Sequence, residues 1–249
     1  MPYKVLQPGK VTGICEDCCA LAVMAKAPRP GKVKTRLSPP LNPDQASALN
    51  ICFIRDTTEN IQQVTEVSNS SGLVAYTPVG DESAFDLLLP SGFQLLAQRG
   101  DGFGERLLHA SEDLFSCGFS AVCLIDSDSP TMPQDALLQA VEWLSRAGDR
   151  MVLGASDDGG YYLIGIKRPH HRLFEQIDWS TERVFQQTLE RAREIGLPAE
   201  LLPTWYDVDD AVTLERLRRE FNGLSGAGYD AKHTRLYLET LQVAPGSVC

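Results

Sequence analysis

Strand-like and helix-like segments alternate along this chain from about residue 20 to residue 221. Short apolar runs bounded by turn residues predict strands at 20–27, 73–76, 93–97, 121–126, 151–155 and 161–166. Apolar residues at three- and four-residue spacing predict helices at 43–64, 104–117 and 136–147, and two more that Ser180 and Asp210 are expected to cap. This alternation predicts an α/β fold of three layers, α/β/α, with a mixed but mostly parallel sheet.

The same pattern divides the 249 residues into one domain and two flanks. Residues 20–221 carry the alternation and are expected to form a single domain, which is an ordinary size for a large α/β unit. Residues 1–19 are interpreted as an N-terminal flank. Residues 222–249 open with a glycine-rich stretch and are interpreted as a linker and a C-terminal tail.

The acidic composition limits the class of partner. Thirty-three acidic and 23 basic side chains give a net charge of -10, and gripping a phosphate backbone needs a basic surface, so we expect no nucleic-acid partner. No apolar run is long enough to span a bilayer, and no basic region followed by a hydrophobic stretch opens the chain. We therefore expect no membrane span and a cytoplasmic location.

Three cysteines cluster near the N-terminus, at Cys15, Cys18 and Cys19. A Cys-x-x-Cys pair can form half of a zinc site, but a closed site needs about four ligands. The chain has no second pair, and its four histidines show no ligand spacing. We favour a flank without function here, and a disulfide or a thiol sensor stays open as an alternative.

A cationic loop follows the first predicted strand, although the chain is acidic overall. Residues 26–36 hold five cationic side chains, namely Lys26, Arg29, Lys32, Lys34 and Arg36. Gly31 lets the backbone approach a ligand closely, and lysine and arginine supply point charge and forked donors for phosphate. The loop is not of the Walker A type, because Lys32 is followed by valine. We interpret it as a phosphate-binding loop rather than a merely solvated one.

Two aspartates, Asp126 and Asp128, follow the fully apolar run that predicts a central strand at 121–126. Residues two apart on an extended chain point to the same side. Hard cations such as Mg²⁺ or Mn²⁺ bind carboxylate oxygens and keep open positions for substrate phosphates. The alternative is an ordinary turn, since Asp, Ser and Pro all favour turns. The position after a buried strand favours a metal-binding pair.

Two later acidic segments strengthen that interpretation. Asp158 lies between two predicted strands, and Asp209 precedes the last predicted helix. Each alone fits a hairpin turn or a helix cap equally well, but together with Asp126 and Asp128 they favour function.

A glycine-rich segment at 100–106 opens the second predicted helix. It misses the dinucleotide-binding fingerprint, because Glu105 stands at the position of the last glycine. The helix N-terminus behind Gly102 could still face a nucleotide, and a flexible turn is the alternative.

Five motifs occur in order along the chain: KAPRPGKVKTRL (26–37), IDSDSP (125–130), DGGYYLIG (158–165), WST (179–181) and DVD (207–209). The series resembles a bacterial family of glycosyltransferase-A-like transferases, known as radical-SAM-associated transferases and glycosyltransferases of arsenosugar biosynthesis. The family is also similar to phospholactate guanylyltransferase and to molybdenum-cofactor nucleotidyltransferases. The resemblance covers about residues 20–221 and implies the nucleotide-diphospho-sugar transferase fold.

The resemblance also implies roles for the matching residues. The nucleotide would be held by Lys26, Gly31, Lys34 and Arg36. To these our interpretation of the residues themselves adds Gly102, at the start of the second predicted helix, and Asp126, at the end of the central strand. A Mg²⁺ or Mn²⁺ ion would be held by Asp126, Asp128 and Asp209, with Asp128 as the preferred direct ligand. Asp158 would act as a base near the acceptor, and Lys34 and Arg36 would stabilise charge on the leaving group.

The chain departs from the family pattern in two places. Asp210 stands where threonine is usual, and the first loop lacks the Gly-x-Gly-x-Arg pattern of typical nucleotidyltransferases. The second departure favours a metal-dependent transferase that consumes a nucleotide-diphospho-sugar donor and glycosylates a small acceptor. One alternative is a nucleotidyltransferase that joins an NTP to a phosphorylated small molecule and releases pyrophosphate. Another is a nucleotide-binding protein without catalysis.

Overall fold

The computed structural model describes residues 3–10, 17–224 and 228–243. Eight strands form one sheet: β1 (Lys4–Val5), β2 (Cys19–Lys26), β3 (Ser70–Thr77), β4 (Gln94–Ala97), β5 (Ala121–Ile125), β6 (Met151–Ser156), β7 (Tyr161–Ile166) and β8 (Ala199–Trp205). Their spatial order is β1-β4-β3-β2-β5-β7-β6-β8. Strand β7 runs antiparallel to β5 and β6, and the other five neighbouring pairs run parallel. The predicted mixed, mostly parallel sheet is confirmed.

In the described residues, six α-helices accompany the sheet: α1 (Pro43–Val67), α2 (Phe103–Ser116), α3 (Gln134–Ser145), α4 (Val184–Glu194), α5 (Ala211–Arg219) and α6 (Lys232–Val243). In the ranges that the structure describes, none of the helices has both the length and the apolarity needed to cross a membrane.

Helices α1 and α3 pack on one face of the sheet, and α2 and α4 pack on the other. Along β2, Leu21 and Val23 belong to the first core, whereas Ala20 and Ala22 belong to the second. Successive strand residues point to opposite faces, so a strand buried on both faces is apolar throughout. This burial confirms the predicted three layers and explains why 20–27 reads as a continuous apolar run.

The strand order brings the predicted functional loops to one edge. The chain leaves β2 towards β3 on one side and later adds β5 on the other side, so β2 and β5 flank a switch point, where open α/β sheets bind ligands. Lys26 ends β2, and Asp126 follows β5. Strand β6 ends at this same edge, so the 157–160 turn between β6 and the antiparallel β7 lies there. Strand β8 is parallel to β6, so residues 206–210, which follow it, also lie at this edge.

One of the two predicted helix caps is present. Asp210 caps α5, because its Oδ1 accepts from the amides of Val212 and Thr213 at 3.0 and 2.9 Å. The prediction for Ser180 is wrong: α4 starts at Val184, and its N-cap residue, Arg183, makes no capping bond. Ser180 instead has a left-handed backbone with φ of 64°, whereas an N-cap residue typically has an extended backbone.

Sequence patterns missed two edge strands. Strand β1 has only two residues, both exposed. Strand β8 has one buried position among its seven residues and contains Pro203, so it lacks the apolar alternation by which strands are recognised. Proline is tolerated at a sheet edge because no partner there needs its amide.

The cysteine group divides between the two faces of the sheet. Cys18 lies in the core under α2, and Cys19 lies in the core under α1 and α3, so both pack as small hydrophobic residues. Cys15 lies outside the described residues.

Helix α6, within the segment interpreted as a tail, packs on α1. The buried Asp56 of α1 accepts hydrogen bonds from the amides of His233 and Thr234, at 3.0 and 2.8 Å, and from the Thr234 hydroxyl at 2.6 Å. A carboxylate at a helix N-terminus satisfies amides that have no partner within the helix. This carboxylate therefore joins the C-terminal helix to the domain.

We expect Asp56→Ala to destabilise the protein by about 2–3 kcal/mol, because three buried donors lose their acceptor. Asp56→Asn keeps one acceptor oxygen and should cost less. Urea unfolding followed by circular dichroism measures both changes. Glu66→Ala, at an exposed position on the same helix, is the control and should lie within about 0.5 kcal/mol of the parent. Equal stability of Asp56→Ala and the control would contradict this role.

Candidate active site

Two cavities open at the edge described above. The larger, of about 590 Å³, lies among Asp126, the 156–161 turn, the 179–184 segment and the residues after β8. The smaller, of about 260 Å³, lies beside the cationic loop and is lined by Lys26, Lys32 and Lys34 among others. Arg36, Asp128 and Asp209 line both cavities. We call the larger the acidic cavity and the smaller the basic cavity, after their charged side chains.

Lys34 lies between the two cavities. Its Nζ is 2.8 Å from Asp128 Oδ1, 2.8 Å from Asp209 Oδ1 and 2.8 Å from the Val208 carbonyl oxygen. An ammonium has three donors, so all of them are used. Burial alone would lower the pKa of Lys34, but the two carboxylates outweigh it and raise that pKa. This ammonium therefore holds two predicted metal ligands together, and its three donors are all used within the protein.

Asp126 is partly buried and follows the last residue of β5. Its Oδ2 accepts from the Ser129 hydroxyl at 2.8 Å, and its backbone amide donates to the Tyr162 carbonyl at 2.9 Å. Burial, and then the charge of Asp128, raise the pKa of Asp126 well above its usual value. A buried carboxyl in a negative surrounding favours a proton or a cation.

Asp207 joins this group, although sequence reasoning gave it no role. Its Oδ1 accepts from the Ser156 hydroxyl at 2.9 Å, and it lines the acidic cavity. Burial, followed by the charges of Asp158 and Asp209, raises the pKa of Asp207 to about 6. The spacing Asp-x-Asp in 207–209 was the available signal, because it matches the pair after β5.

Asp158 is fixed by a tight turn. Its Oδ1 accepts from the Gly160 amide at 2.7 Å. Between them Gly159 has φ of 89°, and a Cβ there would lie 2.2 Å from the Glu182 carbonyl oxygen. Only glycine fits this backbone and this close approach. Asp158, the predicted base, is thus held at the wall of the acidic cavity, and the turn that carries it packs closely against the backbone of Glu182.

Aromatic side chains form another wall of the acidic cavity. Phe103 and Trp179 meet edge to face, with ring centroids 5.4 Å apart, and Tyr161 lines the same cavity. A Cβ on Gly104 would lie 2.4 Å from the Trp179 ring, so this glycine gives the indole its place. Sequence periodicity missed the pair, because its members lie 76 residues apart in the chain.

Two predicted nucleotide-binding glycines, Gly31 and Gly102, line neither cavity. The Gly102 amide is bonded to Glu105 Oε2 at 3.3 Å, and the Asp101 amide is bonded to the same oxygen at 2.9 Å. The Glu105 carboxylate therefore already fills the anion position at the N-terminus of α2. Lys26 and Arg36, by contrast, line the basic cavity as the prediction requires.

The candidate metal ligands at this edge are the carboxylates of Asp126, Asp128 and Asp209. Among the residues that the structure describes, no group of three or more His, Cys, Asp or Glu side chains converges as a ready-made metal site. Asp128 and Asp209, however, both contact one cation, the Lys34 ammonium, at 2.8 Å. Two carboxylates that converge on one positive charge, with Asp126 beside them, suit a hard divalent ion.

Comparisons with known proteins agree with this fold. Residues 60–181 match a family described as an uncharacterized protein conserved in bacteria, DUF2064. One similar crystal structure is of a proposed nucleotide-diphospho-sugar transferase from Desulfovibrio desulfuricans G20. That protein is 30% identical to this chain with a TM-score of 0.78, and the match covers 92% of this chain and 96% of that one. The fold is thus that of the nucleotide-diphospho-sugar transferases. The chain belongs to this bacterial DUF2064 family.

More distant structures share the fold alone. CMP:2-keto-3-deoxy-manno-octonic acid synthetase, solved in complex with CTP, is 12% identical with a TM-score of 0.51, covering 84% of this chain and all of that one. The 4-diphosphocytidyl-2C-methyl-D-erythritol synthase of Anaerococcus prevotii DSM 20548 is 8% identical with a TM-score of 0.50, covering 84% and 96%. A comparison with curated proteins gave no match.

We expect Asp207→Asn to stabilise the metal-free protein at pH 8 by about 1–2 kcal/mol, allowing for partial exposure. The folded pKa of about 6 exceeds the unfolded value of about 3.9, so ionisation of this group costs stability as the pH rises from about 4 to 6. The gain should vanish below pH 4, where the carboxyl is protonated in both states.

Urea unfolding in EDTA at pH 4 and pH 8 measures this difference. Asp86→Asn, at an exposed position, is the control and should change stability equally little at both pH values. A gain for Asp207→Asn that is the same at both would contradict the raised pKa.

Proposed function

We propose that this protein is a divalent-metal-dependent transferase that takes a glycosyl group from a nucleotide-diphospho-sugar and gives it to a small acceptor. One observation carries the proposal: a basic cavity and an acidic cavity meet at Asp128, Asp209 and Arg36. A donor's phosphates suit the first cavity, and an acceptor's reacting hydroxyl suits the second. The reacting bond would then lie where the two meet.

The basic cavity supports the binding of a diphosphate. Lys26, Lys32 and Arg36 line it, and Arg36 is 74% exposed with a long 3.7 Å contact to Asp209. A loosely paired guanidinium can turn its fork of donors to a phosphate. Arg36 is therefore the residue that would stabilise charge on the leaving nucleoside diphosphate. Lys34 would act at one remove, because its donors are held by Asp128, Asp209 and Val208.

Asp128 and Asp209, with Asp126 beside them, are the residues that would hold Mg²⁺ or Mn²⁺. When bound, such an ion supplies positive charge that polarises the donor's diphosphate and assists departure of the leaving group. Lys34 keeps these two carboxylates together and reduces their repulsion.

The acidic cavity offers a proton acceptor. Asp158 lies on its wall, and Asp207 lies nearby with a pKa of about 6. An ionised carboxylate within hydrogen-bond reach of a hydroxyl accepts its proton. In an inverting transfer, Asp158 would take the acceptor's proton, and Asp207 would help to hold the acceptor.

The second candidate function is nucleotidyl transfer, in which an acceptor attacks an NTP and pyrophosphate leaves. It is favoured by the fold that this chain shares with the CTP-bound synthetase described above. Incubation with each nucleotide sugar, and separately with each NTP, in Mn²⁺ or Mg²⁺ distinguishes the two by the product, a nucleoside diphosphate or pyrophosphate. Binding of a nucleotide with no turnover under any condition would instead indicate a protein without catalysis.

We expect Asp128→Ala to weaken metal-dependent nucleotide binding by at least about tenfold in calorimetry, since even indirect loss of ligand support costs this much. Asp128→Asn, which keeps the size and one oxygen, guards against a folding defect and should weaken binding in the same direction. Asp86→Ala, remote from both cavities, should leave affinity unchanged. Nucleotide affinity that is equal in the parent and Asp128→Asn, with and without Mn²⁺, would contradict the metal assignment.

A further inference from the structure

The acidic cavity is unbalanced in charge. Six carboxylates line it, and Arg36 is the one cationic side chain among its described lining residues; the six are Asp126, Asp128, Asp158, Glu182, Asp207 and Asp209. A divalent ion together with Arg36 would still leave an excess of negative charge. The basic cavity on the other side of Lys34 has the opposite balance, with Lys26, Lys32 and Arg36 against Asp128 and Asp209.

Half of these carboxylates lie on the side away from the cationic loop. Within the described ranges, Asp158, Glu182 and Asp207 have no cation within 4 Å, whereas Asp128 and Asp209 share Lys34. The raised pKa of Asp207 agrees with this potential, because after burial its main causes are the charges of Asp158 and Asp209. A second anion brought to this wall would meet three carboxylates, with Arg36 as the one cationic side chain among the described lining residues of the cavity.

The same cavity offers apolar contact as well. The edge-to-face pair Phe103 and Trp179 stands at its mouth, and Phe103 is 43% exposed. Exposed rings beside carboxylates bind compounds that have both an apolar face and hydroxyl or amino groups. The carboxylates accept hydrogen bonds from such groups, while the rings cover carbon atoms.

We propose that the acceptor is a hydroxyl compound without a phosphate group, neutral or positively charged, held between the Phe103–Trp179 pair and the Asp158–Glu182 wall. This inference rests on the proposed function, because it takes the acidic cavity as the acceptor site. It selects among acceptors by charge: a phosphate ester, with a charge of about -1.5 to -2 at pH 7, is excluded. The donor's phosphates stay on the basic side.

Fluorescence quenching tests the potential without any substrate. The difference between the parent and Trp179→Phe isolates the signal of the cavity tryptophan. At constant ionic strength and pH 8, we expect Cs⁺ to quench this signal at least about twofold more, relative to iodide, than it quenches free tryptophan. In Asp158→Asn/Glu182→Gln the preference should fall. The charge-matched control, Glu66→Gln/Asp86→Asn, should keep it. Equal preference in the two double variants would overturn the inference.

A ligand series tests the exclusion of phosphate directly. The probes are methyl glucoside, glucosamine and glucose 6-phosphate, with saturation-transfer NMR and competition as the readout. We expect the first two to contact the protein and glucose 6-phosphate to bind at least about tenfold more weakly. Tighter binding of glucose 6-phosphate in Asp158→Asn/Glu182→Gln than in the parent would support the inference. Binding of glucose 6-phosphate as tight as that of methyl glucoside in the parent would overturn it.

The two proposals fail separately. If the cavity rejects anions while the protein releases pyrophosphate from an NTP, the exclusion of anions from the cavity stands and glycosyl transfer is wrong. If a nucleotide sugar is consumed but a phosphate ester is glycosylated, glycosyl transfer stands and the acceptor inference is wrong.

Discussion

The contact on which the site depends is the one between Lys34 and the carboxylates of Asp128 and Asp209. These two carboxylates come from segments 81 residues apart in the chain, and each would repel the other without a cation between them. A buried ammonium with all three donors used removes that repulsion and joins the cationic loop to the end of β8. The same contact separates the basic cavity from the acidic one. One cavity is thus lined mainly by carboxylates and the other mainly by cationic side chains.

Topology explains why so many polar loops share one edge. The switch between β2 and β5 places the cationic loop next to the Asp-x-Asp pair, and the antiparallel strand β7 returns the 157–160 turn to the same end. Asp158 lies at this edge because β6, which precedes it, runs in the same direction as β5. In this chain, one reversed strand therefore completes the acidic wall of the cavity.

Much of the fold could be predicted, and the misses have physical causes. A strand that is buried on both faces is recognised by a continuous apolar run, as at residues 121–126. Strand β8 has one buried position and therefore shows no such pattern. Ser180 looks like a cap by residue type, but its left-handed backbone is set by the turn around it. Asp207 was passed over because its environment, and so its raised pKa, depends on Asp158 and Asp209 folding against it.

Local spacing and residue type are enough to reveal the α/β alternation, the cationic loop and the carboxylates that follow buried strands. Three features follow from the tertiary structure and not from the chain order. Lys34 pairs with Asp128 and Asp209, and the Glu105 carboxylate binds the amides at the N-terminus of α2. The charged side chains of the site line two cavities of opposite charge. Pairing, burial and electrostatic potential depend on distances between segments that the chain order does not contain.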